Sequence, residues 1–241
     1  MQTVAQSWLI YRLTGSAALL GLIAFAGQIP VFVLAPLGGV IADHADRRRV
    51  VIATQSSMMA LAFVLALLTL THTVRVWHLF FLGSLLGLCN AFDIPARQAF
   101  VIEMVGRRED LLNAIALNSS MVNGARVAGP AVAGVIVAAL GEGWCFLLNA
   151  ISYIAVIGAL MAMRIGPHGR EPSSLSAWER VVEGFSYALK TTPIRALLLL
   201  LGLVSLMGMP YTVLMPIFAD RILHGGANAY GLLLPDSRAS L

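Results

Sequence analysis

Long apolar runs separated by short polar breaks dominate this chain. They cover roughly residues 17–42, 50–71, 76–96, 112–140, 144–163 and 196–219, each at or above the ~20 residues that a helix needs to cross a hydrocarbon core. Two shorter apolar pieces flank them, Gln2–Tyr11 and Tyr230–Leu234. A helix from Met1 to Arg12 rises only about 18 Å, short of a ~30 Å core, so the first helix is expected to be incomplete. At the far end, Ala229–Leu234 starts like an eighth span, but Pro235–Leu241 cannot continue one. The pattern predicts an all-α membrane protein with a partial first helix, five full spans, a linker, a seventh helix and the stub of an eighth. A naturally short protein with re-entrant ends is the plain alternative.

The segment between Ile165 and Arg195 reads differently. Pro167, Gly169, Pro172 and the Ser173–Ser174 pair break any helix there, and Ser176-Ala177-Trp178-Glu179 then has the form of a capping box. Leu175, Trp178, Val182, Phe185 and Leu189 follow helical spacing, with Glu179, Arg180, Glu183 and Lys190 opposite. An amphipathic helix lying on the membrane surface is expected. The chain thus divides into a bundle over 1–164, a linker over 165–195 and the start of a second bundle over 196–241.

Composition supports a membrane solvent: 59% of residues are hydrophobic and 12% charged, with mean hydropathy +0.83, where soluble domains carry about 25% charged residues. Charge placement gives the orientation. Arg47, Arg48, Arg49, Arg97, Arg107, Arg108, Arg164, Arg170, Arg180, Lys190 and Arg195 fall on one side, and Arg12, Arg75 and Arg221 on the other. The richer side is cytoplasmic by the positive-inside bias, which also places the 165–195 linker there. A net charge of +4 distributed this way argues for topology rather than nucleic-acid binding. No basic leader precedes the first apolar run. Cys89 and Cys145 lie inside apolar runs without metal or redox spacing, and the five histidines are scattered. No phosphate-binding loop is present, so ATP drive has no support and no cofactor is expected.

The most specific stretch is Gly38-Gly39-Val40-Ile41-Ala42-Asp43-His44-Ala45-Asp46-Arg47-Arg48-Arg49, a tight charged loop between two membrane-length runs. It resembles the Gly-x-x-x-Asp-x-x-x-Arg-Arg signature between the second and third helices of major facilitator superfamily transporters, with Gly39, Asp43, Arg47 and Arg48 on the pattern. His44 stands where a basic residue is usual and Asp46 where glycine is usual. The Asp-Arg-Arg ending is similar to the transmembrane secretion effector branch, which contains macrolide-efflux and enterobactin-export proteins. The resemblance implies a major facilitator fold, of which this chain covers the N-terminal six-helix half and a little more.

Several residues are candidates for the mechanism. Asp43-x-x-x-Arg47 and Asp93-x-x-x-Arg97 each place acid and base on one helix face near the cytoplasmic ends of spans. One reading is a solvated interfacial pair, worth under about 1 kcal/mol. The other is a conformational gate running from Asp43 through Arg47 to Asp93, favoured because Pro95 is expected to interrupt the helix and Gly38, Gly39 and Ala42 permit close approach. In the superfamily, the equivalents of Asp43 and Arg47 brace the outward-facing state. The fifth span carries Ala125-Arg126-Val127-Ala128-Gly129-Pro130-Ala131-Val132-Ala133-Gly134. It resembles the antiporter signature Gly-x-x-x-Gly-Pro-x-x-Gly-Gly, which accompanies export; Gly129, Pro130 and Gly134 match, with alanine at 125 and 133. Ala125, Gly129 and Ala133 also form a small-residue ridge suited to simple tight packing. Arg126 lies well inside this span with Ser119 and Asn123 on its face, so all three are candidates for a cavity facing substrate, against a purely structural bond to bundle carbonyls. Gln6, Gln28 and Asn90 are either cavity groups or interhelical bonds. Glu103 and Asp110 flank a loop, with Asp110 read as a helix cap.

The expected function is secondary active export of a small amphipathic or oxygen-rich molecule (drug, macrolide or siderophore type) by alternating access. Its partners would be that substrate, the bilayer and an ion gradient, expected to be protons. No basic residue lies in His78–Cys89, where drug–proton antiporters often carry one, and no deeply buried carboxylate is evident as a proton site. An importer of the same fold, a membrane scaffold without flux and an inactive truncated product are the alternatives.

Overall fold

Each polar break in the sequence becomes a helix boundary with an identifiable local cause. The computed structural model describes residues 1–105, 108–163 and 186–217. Seven helices are described: α1 (Gln2–Thr14), α2 (Ala17–His44), α3 (Arg47–Leu70), α4 (Val76–Met104), α5 (Leu111–Leu140), α6 (Glu142–Ala162) and α7 (Thr192–Ile217). α1 stops at Gly15, whose φ of 60° lies in the left-handed region that favours glycine, and Ser16 then opens α2 by accepting the Leu19 N–H. Asp46 caps α3 through the Arg49 N–H at 3.2 Å. The His78 ring accepts the Arg75 N–H at 3.0 Å at the start of α4. Asp110 occupies the cap position of α5 after a short 3-10 turn, but its side chain makes no capping bond.

Five of the described helices, α2 to α6, are long and apolar enough to cross a bilayer. α1 has 13 residues. Of the expected linker, only residues 186–190, which are helical, and 191–195 belong to the described set. The capping box at 176–179 and the stub at 230–234 lie outside it, as does the end of the seventh apolar run beyond 217.

One expectation is corrected. α4 does not break at Pro95 but continues to Met104, eight residues past the end of the expected span. Proline removes the N–H that would bond to the carbonyl four residues earlier, here that of Ala91. Gly38 of α2 lies against that carbonyl so closely that a Cβ on it would collide with Ala91 O and would lie 3.1 Å from the Pro95 Cγ. The exposed carbonyl is therefore covered by a neighbouring backbone, the kind of tertiary support that lets membrane helices tolerate proline.

α2 and α4 form the most extensive helix pair, followed by α3 with α6 and α3 with α4. α1 touches α2, α4, α5 and α6 and so occupies the middle of the bundle. The main core draws on α1 to α6: Leu9 and Ile10 of α1, Leu20 and Ile23 of α2, Leu65 of α3, Leu79 of α4, Ala133 and Val137 of α5, Cys145 and Phe146 of α6. A second cluster, Ala42, Val51, Ala96, Phe100 and Leu160, closes the arginine-rich end. Large apolar side chains such as Phe32, at 86% exposure, and Leu67 and Trp77 cover the outside. That arrangement suits lipid rather than water.

Candidate functional site

The first turn of α3 points its three arginines in three directions. Arg47 donates from Nε to Ala42 O at 3.0 Å and reaches α4 at Ala99 O (3.4 Å) and at Glu103 Oε2 (3.5 Å). Arg48 donates to Leu160 O at 2.9 Å and Met161 O at 2.7 Å, two carbonyls of the last turn of α6. Those carbonyls have no partner within the helix and carry the negative end of its dipole, so a guanidinium both satisfies and neutralises them. Arg49 pairs with Asp46 at the exposed surface. The first turn of α3 thus clamps α4 and α6 at the arginine-rich end. The Asp43 and His44 side chains lie outside the described residues, while Gly39 faces open space, with nothing within 4 Å of a built Cβ. Gly38, not Gly39, makes the close approach.

Asp93 forms a separate link. Its Oδ1 accepts from Thr54 Oγ1 at 2.8 Å and Gln55 Nε2 at 3.0 Å, both on α3. Its Oδ2 makes no hydrogen bond among the described residues but lies 3.3 Å from Arg97 NH2. Asp93 is 1% exposed and Arg97 56%, so a buried carboxylate is tied to α3 on one side and to a solvent-facing cation on the other. The expected passage from Arg47 to Asp93 is replaced in this geometry by two connections. Arg47 meets α4 near Glu103, and Asp93 meets α3 further along.

About one turn further into the bundle, α1, α2 and α4 enclose a pocket of about 400 Å3. Its wall holds Thr3, Gln6, Ser7, Gln28 and Asn90, together with Ile10, Leu20, Ile23 and Leu86. Gln6, Gln28 and Asn90, scattered in sequence, are brought together here. Gly27, Gly83 and Gly87 complete the wall; a Cβ on Gly87 would collide with Gly27 O, and one on Gly83 would lie 3.2 Å from the Gln6 amide.

The fifth helix divides in two. Ala133, Gly134 and Val137 are buried, Ala133 within the core that α1 shares, and a Cβ on Gly129 would lie 3.8 Å from the Met1 nitrogen. Gly129 and Pro130 are half-buried, whereas Ser119, Asn123, Ala125 and Arg126 are exposed. None of Ser119, Asn123 and Arg126 lines the α1/α2/α4 pocket. The antiporter-like stretch therefore packs at its far end and leaves Arg126 on an open face.

Some residues of this arrangement escaped the reading from sequence. Glu103, expected only to flank a loop, lies in the last turn of α4, on one stripe with Asp93, Ala96 and Phe100 at helical spacing. Glu142, 4% exposed and 3.2 Å from Arg12, ties α6 to α1 at the opposite end. With Asp93, it is a buried carboxylate that local pattern did not reveal. No group of three or more metal-binding side chains occurs among the described residues.

Curated relatives match this chain over most of its length. The chain is 25% identical to the staphyloferrin A transporter of Staphylococcus aureus over 96% of its own length and 58% of the relative's. It is 27% identical to macrolide efflux protein A of Streptococcus pyogenes over 88% of its own length and 53% of the relative's. With the multidrug efflux pump Tap of Mycolicibacterium fortuitum it shares 28% identity, covering 90% of the chain and 56% of the pump. The chain thus spans a little over half the length of these relatives. No solved structure matches it. The transmembrane secretion effector profile matches residues 1–237. With its charged loop, its apolar spans and that match, the chain belongs to the transmembrane secretion effector family of major facilitator transporters, as a multi-pass protein of the plasma membrane.

Proposed function

We propose that this chain forms the N-terminal part of an efflux transporter that exports a small amphipathic or oxygen-rich molecule by alternating access, driven by an ion gradient. The observation that carries this reading is the stacking of a polar pocket above a clamped end. The pocket between α1, α2 and α4 lies toward the outer half of the spans. Below it, Arg47 and Arg48 tie α3 to α4 and α6, so that this end of the bundle moves as one body. Arg47, Arg48, Gly39, Asp43, Asp93 and Arg97 act as the gate in this reading, with Glu103 as the partner of Arg47. Ser119, Asn123 and Arg126 contribute from α5 on the cavity side. Macrolide and multidrug efflux by two of the relatives named above, and transport of staphyloferrin A by a third, fit such a role.

The test is accumulation of a labelled macrolide in an efflux-deficient bacterial host expressing the full-length protein. Expression should lower accumulation, and Glu103→Gln should reduce that effect about fivefold or more by shifting a two-state equilibrium, with membrane levels of protein unchanged. Higher accumulation on expression would establish import. Unchanged accumulation across a panel of drugs and siderophores would leave a scaffold as the better reading.

A further inference from the structure

Among the described helices, α2, α3 and α4 each start with a side-chain acceptor, and that of α4 differs in kind. α2 uses the hydroxyl of Ser16 and α3 the carboxylate of Asp46. α4 uses a ring nitrogen: His78 Nδ1 accepts the Arg75 N–H at 3.0 Å, while Arg75 O accepts the His78 N–H at 3.0 Å. The pair has the form of a capping box with histidine in the place of Glu or Gln. Arg75, extended at φ −129°, has no side-chain oxygen to offer at the cap.

The difference lies in the lone pairs. A hydroxyl or carboxyl oxygen still has one to offer after gaining a proton, whereas an imidazole nitrogen that takes up a proton has none. Accepting at Nδ1 therefore requires the neutral ring with its proton on Nε2. A protonated His78 would turn a donor toward the Arg75 N–H and bring positive charge to the positive end of the α4 dipole. Trp77, stacked on the ring at 3.8 Å and itself 61% exposed, offers the imidazolium a face outside the cap.

The surroundings leave this change to His78. Among the described residues, α2, α3 and α5 bring no charged or titratable side chain to this end. α1 brings Tyr11 and Arg12, and α6 brings the buried Cys145 and Glu142, whose carboxylate pairs with Arg12 at 3.2 Å. In the turn itself stand His72 and Arg75, both exposed. The turn lies on the arginine-poor side, hence outside the cell. Opening has a limit, because Val76 packs against the main core and Leu79 is buried in it.

We propose that His78 makes the first turn of α4 a pH-responsive latch on the outer face: protonation from outside withdraws the cap and frees residues 75–78. Hydrogen–deuterium exchange over 74–79 in the purified full-length protein, held in nanodiscs, provides the test, with rates corrected for the pH dependence of intrinsic exchange. Between about pH 7.5 and about pH 5.5, the range in which histidine changes charge, the parent should lose about tenfold in protection. His78→Gln keeps an acceptor that takes up no proton and should hold its protection at both values. His78→Leu should be equally unprotected at both, and His72→Gln should behave as the parent. Constant protection in the parent, or a loss of the same size in His78→Gln, would overturn the proposal. A flat profile in His72→Gln would do so too, by assigning the response to His72. Protection in the middle of α4 should not change; a parallel loss there would mean general loosening and would likewise overturn the latch. Exchange is read without flux, so these outcomes leave the transporter reading as it stands.

Discussion

At the scale of single residues, Asp93 concentrates the conflict between burial and charge. A carboxylate taken out of water is tolerated only when hydrogen bonds and a counter-ion replace its hydration. Thr54 and Gln55 provide the first and Arg97 the second. The two supports differ in strength. Thr54 is buried with Asp93, so Thr54→Val should cost about 1–3 kcal/mol by leaving the carboxylate short of a donor, and Thr54→Ser should stay near the parent. Arg97 is 56% exposed and its pairing is screened, so Arg97→Ala should cost under about 1 kcal/mol. Thermal unfolding of the purified protein ranks the variants; a larger loss for Arg97→Ala would mean that the ion pair, not the hydrogen bonds, holds Asp93. The i,i+4 pair itself was legible from spacing. Its α3 partners were not, because the rotational phase of one helix against another is not written in either helix's own periodicity.

At the scale of elements, the α2–α4 pair is built by glycines. Gly38 approaches the Ala91 carbonyl left without a partner by Pro95, and Gly87 approaches the Gly27 carbonyl. Both contacts are between backbones, which cannot move aside as a flexible side chain can. Gly87→Ala should therefore push the helices apart and destabilise the bundle by about 1–3 kcal/mol or more, as overpacking does. Gly39→Ala should leave stability within about 0.5 kcal/mol, apart from the usual small gain of alanine in a helix, because nothing lies within 4 Å of its Cβ. Yield and melting temperature of the two variants provide the comparison. If Gly39→Ala nonetheless lowers efflux, its open side meets another part of the transporter during the cycle; unchanged efflux would remove Gly39 from the gate. The sequence motif marks Gly39 and passes over its neighbour, yet the packing role belongs to Gly38. Which of two adjacent glycines faces α4 depends on helix rotation.

For the molecule as a whole, the uneven burial of α5 matters most. Its far third is anchored by Ala133, Gly134 and Val137, while residues 115–128 are exposed throughout. Arg126 stands on this open face with Ser119 and Asn123, and a guanidinium midway along a membrane helix needs a wet cavity or a partner. We expect the cavity. With Cys89 and Cys145 replaced, Arg126→Cys should react with a membrane-impermeant thiol reagent added to inside-out vesicles or whole cells, and transported substrate should slow the reaction. Failure to label from either side would place Arg126 against protein or lipid and remove it from the cavity.

Membrane class, the approximate positions of the spans and the family were determined by the sequence alone, whereas the continuation of α4 past Pro95 was not. Those properties follow from runs of apolar residues, from arginine asymmetry and from a charged loop of fixed spacing, each a local property of the chain. The antiporter-like stretch and the pairing of Asp93 with Arg97 belong to the same local grammar. Tertiary structure alone decided that Arg48 caps α6, that Arg47 reaches Glu103, that Thr54 and Gln55 hold Asp93, and that Gln6, Gln28 and Asn90 share one pocket. In each case the partners come from different helices. In an apolar solvent every face of a helix is similarly hydrophobic, so periodicity carries little information about which face turns inward. Backbone fit at glycines and the pairing of scarce polar groups settle it instead.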